Sequence, residues 1–255
     1  VRYHSWCPPE SAFEAADDVG ILLQSEMAMW VGLGNDQTTD DWLFEEGALL
    51  LSAYGNHPSC AFMAIGNELR QEKGSNMADK LLRHYKKGTH GTMLTDNVRK
   101  IFGKEAEFAI TGQGKFYDKK LHSVRASDTD FDYSNIINNS DIPIITHEDG
   151  QWATLPNFDV RKKYKGSLHP YYLDIYEDFM RDRGTLNRYE DYYMASGKFQ
   201  TLLYKSTWEA ALRTPGYGGV QMLDLRDFPG QGYAPVGSFD EFWESKGYVT
   251  TEEYN

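Results

Sequence analysis

Short, continuously apolar runs alternate with helically spaced segments along this chain, and that alternation constrains its fold more than any other feature. "ILLQSE", "CAFMAIGNE" and "IPIITHE" are too apolar to leave one face in water. "ESAFEAADDVG" has apolar residues at 12, 13, 15, 16 and 19, a helical spacing closed by Gly20. Further helices are expected after the cap at Thr38 to Asp41, from Ser75 to Gly88, within "YSNIINNS", and from Tyr171 to Arg213 with a break near Gly184. Strands are expected near residues 1–6, 21–26, 60–67, 91–96, 121–126, 142–148 and 219–225. Buried strands separated by helices mean a parallel sheet covered by helices.

Polar residues recur at one place in this pattern. "HSW", "QSE", "GNE", "THED" and "LDLRD" all close predicted strands at their C-terminal ends. In a (β/α)8 barrel that face carries the active site. A doubly wound sheet would concentrate its chemistry at one switch point. Polar endings on this many strands favour the (β/α)8 TIM barrel. Two of the endings are glutamates, Glu68 and Glu148. A carboxylate at the end of a buried strand is costly unless it is paired or used. Two carboxylates on one barrel rim suit glycoside hydrolysis, where one protonates the leaving oxygen and the other attacks the anomeric carbon.

Composition removes other classes. Net charge is −12, from 26 basic and 38 acidic residues, which disfavours nucleic-acid binding. No run approaches the roughly 18 apolar residues of a membrane span. No Gly-rich phosphate fingerprint follows a strand, since "GYGG" precedes one and reads as a turn, so no cofactor is expected. No His or Cys pair has zinc spacing. Asp128, Asp130 and Asp132 start like a calcium loop, but Tyr133 and Asn139 occupy its Gly and Glu positions, so no metal is expected. Asn138-Asn139-Ser140 matches the short glycosylation pattern. Cys7 and Cys60 fall at opposite strand ends, about 20 Å apart. A disulfide would need Cα atoms within about 7 Å, so none is expected.

"VRYHSWCPPESAFEAADDVGILLQSE", "HPSCAFMAIGNEL" and "IPIITHEDGQWATLPNFD" resemble the catalytic barrel of family-2 glycoside hydrolases, the β-galactosidase and β-glucuronidase family. The likeness extends over nearly the whole chain. It is nearest to divergent bacterial members with "HEIGQW" at the seventh strand, whose ending is similar to "LDLRDFPGQG…GSFDEFWESKGYVT". It implies a retaining hydrolase of terminal glycosidic bonds, acting on a carbohydrate through a covalent glycosyl-enzyme. Glu68 would be the acid/base, Asn67 the ligand of the sugar 2-hydroxyl, and Glu148 the nucleophile. Arg2 would hydrogen-bond that nucleophile and hold it ionised. Asp149 departs from the small or apolar residue usual after the nucleophile; an extra carboxylate there could raise the pKa of Glu148 and blunt it, or could point outward, as alternation suggests. The resemblance begins at the family's second strand. Residues 1–255 are therefore expected to be a single barrel domain from a longer protein, with the first strand upstream of Val1 and β-sandwich domains flanking it. A periplasmic or extracellular location is implied by the resemblance alone.

Alternation also puts Arg2, His4 and Trp6 on one strand face, towards the barrel mouth. Trp6 and Trp152 could stack on sugar rings or pack in the core. His4 and His122 lie near predicted strand ends and could contact substrate, whereas His147 faces the helix layer. Glu26 could hold Arg2 or bind substrate hydroxyls. Asp224 and Asp227 could bind hydroxyls or form rim salt bridges. Two rival functions stay open: a sugar-binding barrel without turnover, and an endo-acting glycanase, which an open groove would favour over a blind pocket.

Overall fold

The computed structural model of the protein describes residues 1–30, 32–72, 74–89, 91–98, 103–110, 130–138, 140–230 and 233–249. The chain runs α1 (Glu10–Val19), β1 (Leu23–Glu26), β2 (Gly32–Leu33), α2 (Gln37–Tyr54), β3 (Cys60–Ala64), β4 (Arg70–Gln71), α3 (Met77–Tyr85), β5 (Met93–Thr95) and β6 (Ala109–Ile110). It continues through α4 (Ser134–Ile137), β7 (Ile144–Ile145), β8 (Asp149–Gly150), α5 (Tyr171–Asp182), α6 (Tyr189–Arg213), β9 (Tyr217–Gly219) and β10 (Met222–Leu223), with 3-10 turns at Phe158–Lys163 and Leu186–Arg188. The residues fall into two units. One comprises Val1–Lys120, Tyr133–His147 and Pro215–Gln221; the other comprises Leu121–Asp132, Glu148–Thr214 and Met222–Asn255.

In the first unit, α1 ends at Gly20, whose φ of 74° places it in the left-handed region glycine tolerates, with its N–H on the Ala16 carbonyl. Phe13 and Ala16 pack with Leu23 and Cys60. Strand β1 is buried along its whole length and pairs with β3, and β3 pairs with β5, both in parallel. Asp36 caps α2 by accepting the Thr39 N–H at 2.7 Å. Helices α2 and α3 meet at Gly47, where a Cβ would stand 2.3 Å from the Tyr85 ring. The Tyr85 hydroxyl donates to the Leu43 carbonyl at 2.7 Å and ties the two helices together. The main apolar cluster lies beneath them, with Met27, Met29, Leu43, Leu51, Met63 and Leu81 among its members. Strands β6, β7 and β9 form a second parallel sheet, and β2 with β4 a third.

In the second unit β8 pairs in parallel with β10, Met222 opposite Asp149. Gly150, at φ 101°, lies under Tyr204, where a Cβ would be 1.9 Å from a ring carbon. The Tyr204 hydroxyl donates to the Leu223 carbonyl at 2.7 Å. The long helical region breaks at Gly184, at φ 65°, as its sequence implies. Asp227 lies in a buried pair with Lys246 at 2.5 Å and also accepts from the Gly237 N–H and the Tyr233 hydroxyl. That pairing decides between the two readings of Asp227 in favour of a salt bridge, inside the unit rather than on a rim.

Among the described residues the named strands all pair in parallel, as expected of the α/β class. Among the described residues the strands make four short sheets rather than one closed ring. Three expectations change. Residues 1–6 are not a strand: only Arg2 bridges Gln24, and the chain turns at His4 and Ser5, where Ser5 has a φ of 49°. The last strand divides into β9 and β10, one in each unit. Cys7 packs against the cluster that holds Cys60, because the turn brings the chain back; the two thiols are not at opposite ends of parallel strands, and both are free. The strand expected at 121–126 lies outside the described residues. No helix among the described residues is long and apolar enough to cross a membrane.

Candidate active site

The first unit builds a buried polar network from residues far apart in sequence. Glu26, the last residue of β1, is fully buried. Its carboxylate accepts from Arg2 Nε at 2.6 Å, Arg2 Nη2 at 3.1 Å, the Ser5 N–H at 2.7 Å and Gln24 Nε2 at 3.3 Å. Four donors account for the acceptor sites a carboxylate offers. Of the two tasks considered for Glu26, the geometry supplies the first, which is to hold Arg2. The turn at Ser5 exists within this arrangement: its left-handed backbone directs the N–H onto Glu26.

Arg2 carries the network to the end of β3. Its Nη2 donates to Asn67 Oδ1 at 2.7 Å, and Asn67 Nδ2 lies 3.0 Å from His4 Nε2. A guanidinium can only donate, so the amide oxygen faces Arg2 and the amide nitrogen faces His4. His4 Nε2 then accepts, which puts the ring proton on Nδ1. Arg2, His4, Glu26 and Asn67, chosen from sequence, are thus joined by direct bonds. Gln24 and Gln221 were not chosen. Gln221 Nε2 donates to Gln24 Oε1 at 2.6 Å, and the Gln221 N–H donates to Thr146 Oγ1 at 2.8 Å. Their signal was present in "LQSE" and "GGVQML", where a glutamine interrupts an apolar run.

Glu68 follows Asn67 on a turn held from both sides. The Asn67 N–H donates to the Met29 carbonyl at 2.9 Å, Asn97 Nδ2 donates to the Gly66 carbonyl at 2.7 Å, and the Leu69 N–H donates to the Asn97 carbonyl at 2.9 Å. Gly66 has no room for a side chain, since a Cβ would lie 2.5 Å from the Met29 carbonyl oxygen. Glu68 itself has a φ of 46°. A left-handed non-glycine residue costs roughly 1–2 kcal/mol, and it persists only where its surroundings fix it. Glu148 has the same backbone state, at φ 54°. It begins the Glu148–Thr214 segment of the second unit, whereas Glu68 belongs to the first. Asp149 follows it in β8, buried, and burial pushes its carboxyl up from 3.8 to about 7.

The remaining candidates are placed as follows. Trp6 is 52% exposed, stands edge-on to Tyr3, and lines a groove of about 520 Å³ with α2 residues Glu46, Leu49 and Ala53. The turn at His4 and Ser5 ends the alternation that would have put Trp6 on one face with Arg2. In the second unit, the half-buried Trp152 accepts through its carbonyl from Gln200 Nε2 at 2.5 Å. Asp224 is half-buried just after β10, with Oδ1 on the Leu225 N–H at 2.5 Å. His122 lies outside the described residues. His147 is half-buried at the end of the first unit's middle segment.

No protein-family model matches the chain, and no curated protein matches it. Solved structures do. A β-glucuronidase of Bifidobacterium dentium, complexed with coumarin-3-O-glucuronide, superposes with a TM-score of 0.60 at 14% identity, over 97% of this chain and 39% of its own. A GH2 β-galacturonidase of Eisenbergiella tayi, bound to galacturonate, gives 0.63 at 14% identity, over 99% and 44%. A β-glucuronidase of Ruminococcus gnavus, with D-glucaro 1,5-lactone, gives 0.61 at 12% identity, over 96% and 41%. The shared property at these identities is the fold, a family-2 glycosidase fold. The chain spans about two fifths of each of these proteins.

Proposed function

We propose that the protein is a glycoside hydrolase that cleaves terminal glycosidic bonds with retention. Glu68 protonates the leaving oxygen while Glu148 attacks the anomeric carbon. The sugar is then joined covalently to Glu148, and Glu68 acts as base toward the water that releases it. Arg2 hydrogen-bonds the nucleophile Glu148, and Asn67 receives the sugar's 2-hydroxyl. The observation that carries this reading is the Glu26–Arg2–Asn67–His4 network, which ends beside Glu68 on a turn held in left-handed backbone. Such strain, fixed by surrounding bonds, is found mostly where a side chain must be presented for use. The fold supports the same class.

The substrates named for the fold neighbours make a β-uronide the first sugar to test. The experiment is a panel of p-nitrophenyl glycosides, covering β-glucuronide, β-galacturonide and β-galactoside, with Glu148→Gln as control. Release of nitrophenol by the wild type and none by the variant is the expected result. Binding of these sugars without turnover in the wild type would favour the second reading, a sugar-binding barrel. One observation favours that reading: a buried acid, Asp149, directly follows the nucleophile position.

A further inference from the structure

The loop after β1 presents a tryptophan that the network holds in place. Met27 and Met29 are buried in the main apolar cluster, so the loop is anchored at every second residue. The Met29 carbonyl accepts the Asn67 N–H at 2.9 Å, which ties the residue before Trp30 to the residue before Glu68. Trp30 leaves 49% of its surface uncovered, and its ring meets His4 edge-on, with centroids 4.8 Å apart and planes at 70°. Exposure alone decides nothing here, since Trp6 and Trp243 are more exposed. What sets Trp30 apart is its support, because His4 is bonded to Asn67 and Asn67 to Arg2.

We infer that Trp30 is a stacking platform for a pyranose ring, with His4 as the residue that positions it. A pyranose offers a face of C–H groups to an aromatic ring and keeps its hydroxyls at the edge. An indole half uncovered and packed against a hydrogen-bonded histidine is preorganised, and its rigidity lowers the entropy lost on binding. This inference rests on the glycosidase reading and adds the group that recognises the sugar.

The test uses the sugar that the p-nitrophenyl panel identifies. Trp30→Ala should raise KM about tenfold with kcat nearly unchanged, and Trp30→Phe should recover most of the loss. Calorimetry with the methyl glycoside of the same sugar should show the same loss of affinity in Trp30→Ala. The thermal unfolding midpoint should stay where it was. Unchanged KM in Trp30→Ala would overturn the platform and leave the glycosidase reading intact. A loss seen with the aryl glycoside but not with the methyl glycoside would mean that Trp30 holds the aryl group, and would overturn the pyranose assignment. Failure of the wild type to bind or cleave any sugar of the panel would overturn the glycosidase reading, and this inference with it.

Discussion

Single residues carry most of the argument, and three of them can be tested alone. If Glu68 is the acid, Glu68→Ala should cripple glycosides with poor leaving groups far more than activated aryl glycosides, which need little protonation. Equal losses on both, measured as kcat/KM, would count against that role. Glu26 holds Arg2 in a pair whose side chains are 0% and 8% exposed. Removing one partner of a buried pair leaves the other charge uncompensated, so Glu26→Ala should lose roughly 3–5 kcal/mol in urea unfolding. A loss below 1 kcal/mol, by the same estimate, would mean that Arg2 finds another partner or reaches water. Asp149 gives a signed pH dependence. Its folded carboxyl titrates at about 7 against an ordinary 3.8 because burial disfavours the charge. Below 3.8 both states are protonated and no penalty exists. As pH rises to about 7 the unfolded chain ionises first, so stability falls through that window and levels off above it. The full effect is at most about 4 kcal/mol. Asp149→Asn should therefore stabilise the protein at pH 8 but not at pH 3.5, and an equal effect at both values would contradict the buried acid. Much of this site was legible in sequence: Glu26, Asn67 and Glu68 stand where apolar runs end in polar residues, and Arg2 is marked by strand alternation and the family resemblance. Trp30 was not, because a tryptophan after a strand looks like any core residue until its neighbours are known.

At the scale of elements, the signals that worked were local. Gly20 closes α1 and Gly184 breaks the long helical region because both sit at positive φ, where other residues are strained. Strands β1, β3 and β5 fall inside their predicted ranges, but β1 is the buried and mostly polar Leu23–Glu26, while the apolar Ile21 and Leu22 before it are exposed. The expected strand at residues 1–6 failed for a physical reason. Its alternation is interrupted at Ser5, whose N–H is taken by Glu26 from another element, and no local pattern records that bond. The short β2, β4 and β6 pair only two residues each and leave no periodicity to read. The packing of α2 on α3 can be tested at Gly47. Alanine there gains about 1 kcal/mol of helix propensity, but its Cβ would press on Tyr85 at 2.3 Å. Overpacking costs typically 1–3 kcal/mol, so Gly47→Ala should destabilise, whereas Gly47→Ala with Tyr85→Phe should not recover the loss, because the ring carbons remain in the way. A stabilised Gly47→Ala, read by thermal unfolding, would show that the helices can separate at little expense.

At the scale of the whole molecule, the proposed reaction needs Glu68 and Glu148, which arise in different units of the chain, to act as one catalytic pair. Retention requires their carboxyl groups about 5–5.5 Å apart, and a wider gap of about 6.5–9.5 Å would admit a water and invert the sugar. Fold similarity at 12–14% identity shows the fold alone and assigns no residue a role. The most direct measurement is therefore to trap the intermediate. The protein is incubated with the activated 2-deoxy-2-fluoro glycoside of the sugar it cleaves, digested, and mapped by mass spectrometry. The account predicts one fluoroglycosyl group per chain, on the peptide containing Glu148, and none in Glu148→Gln. A label on any other carboxylate, or unimpaired turnover in Glu148→Gln, would contradict it.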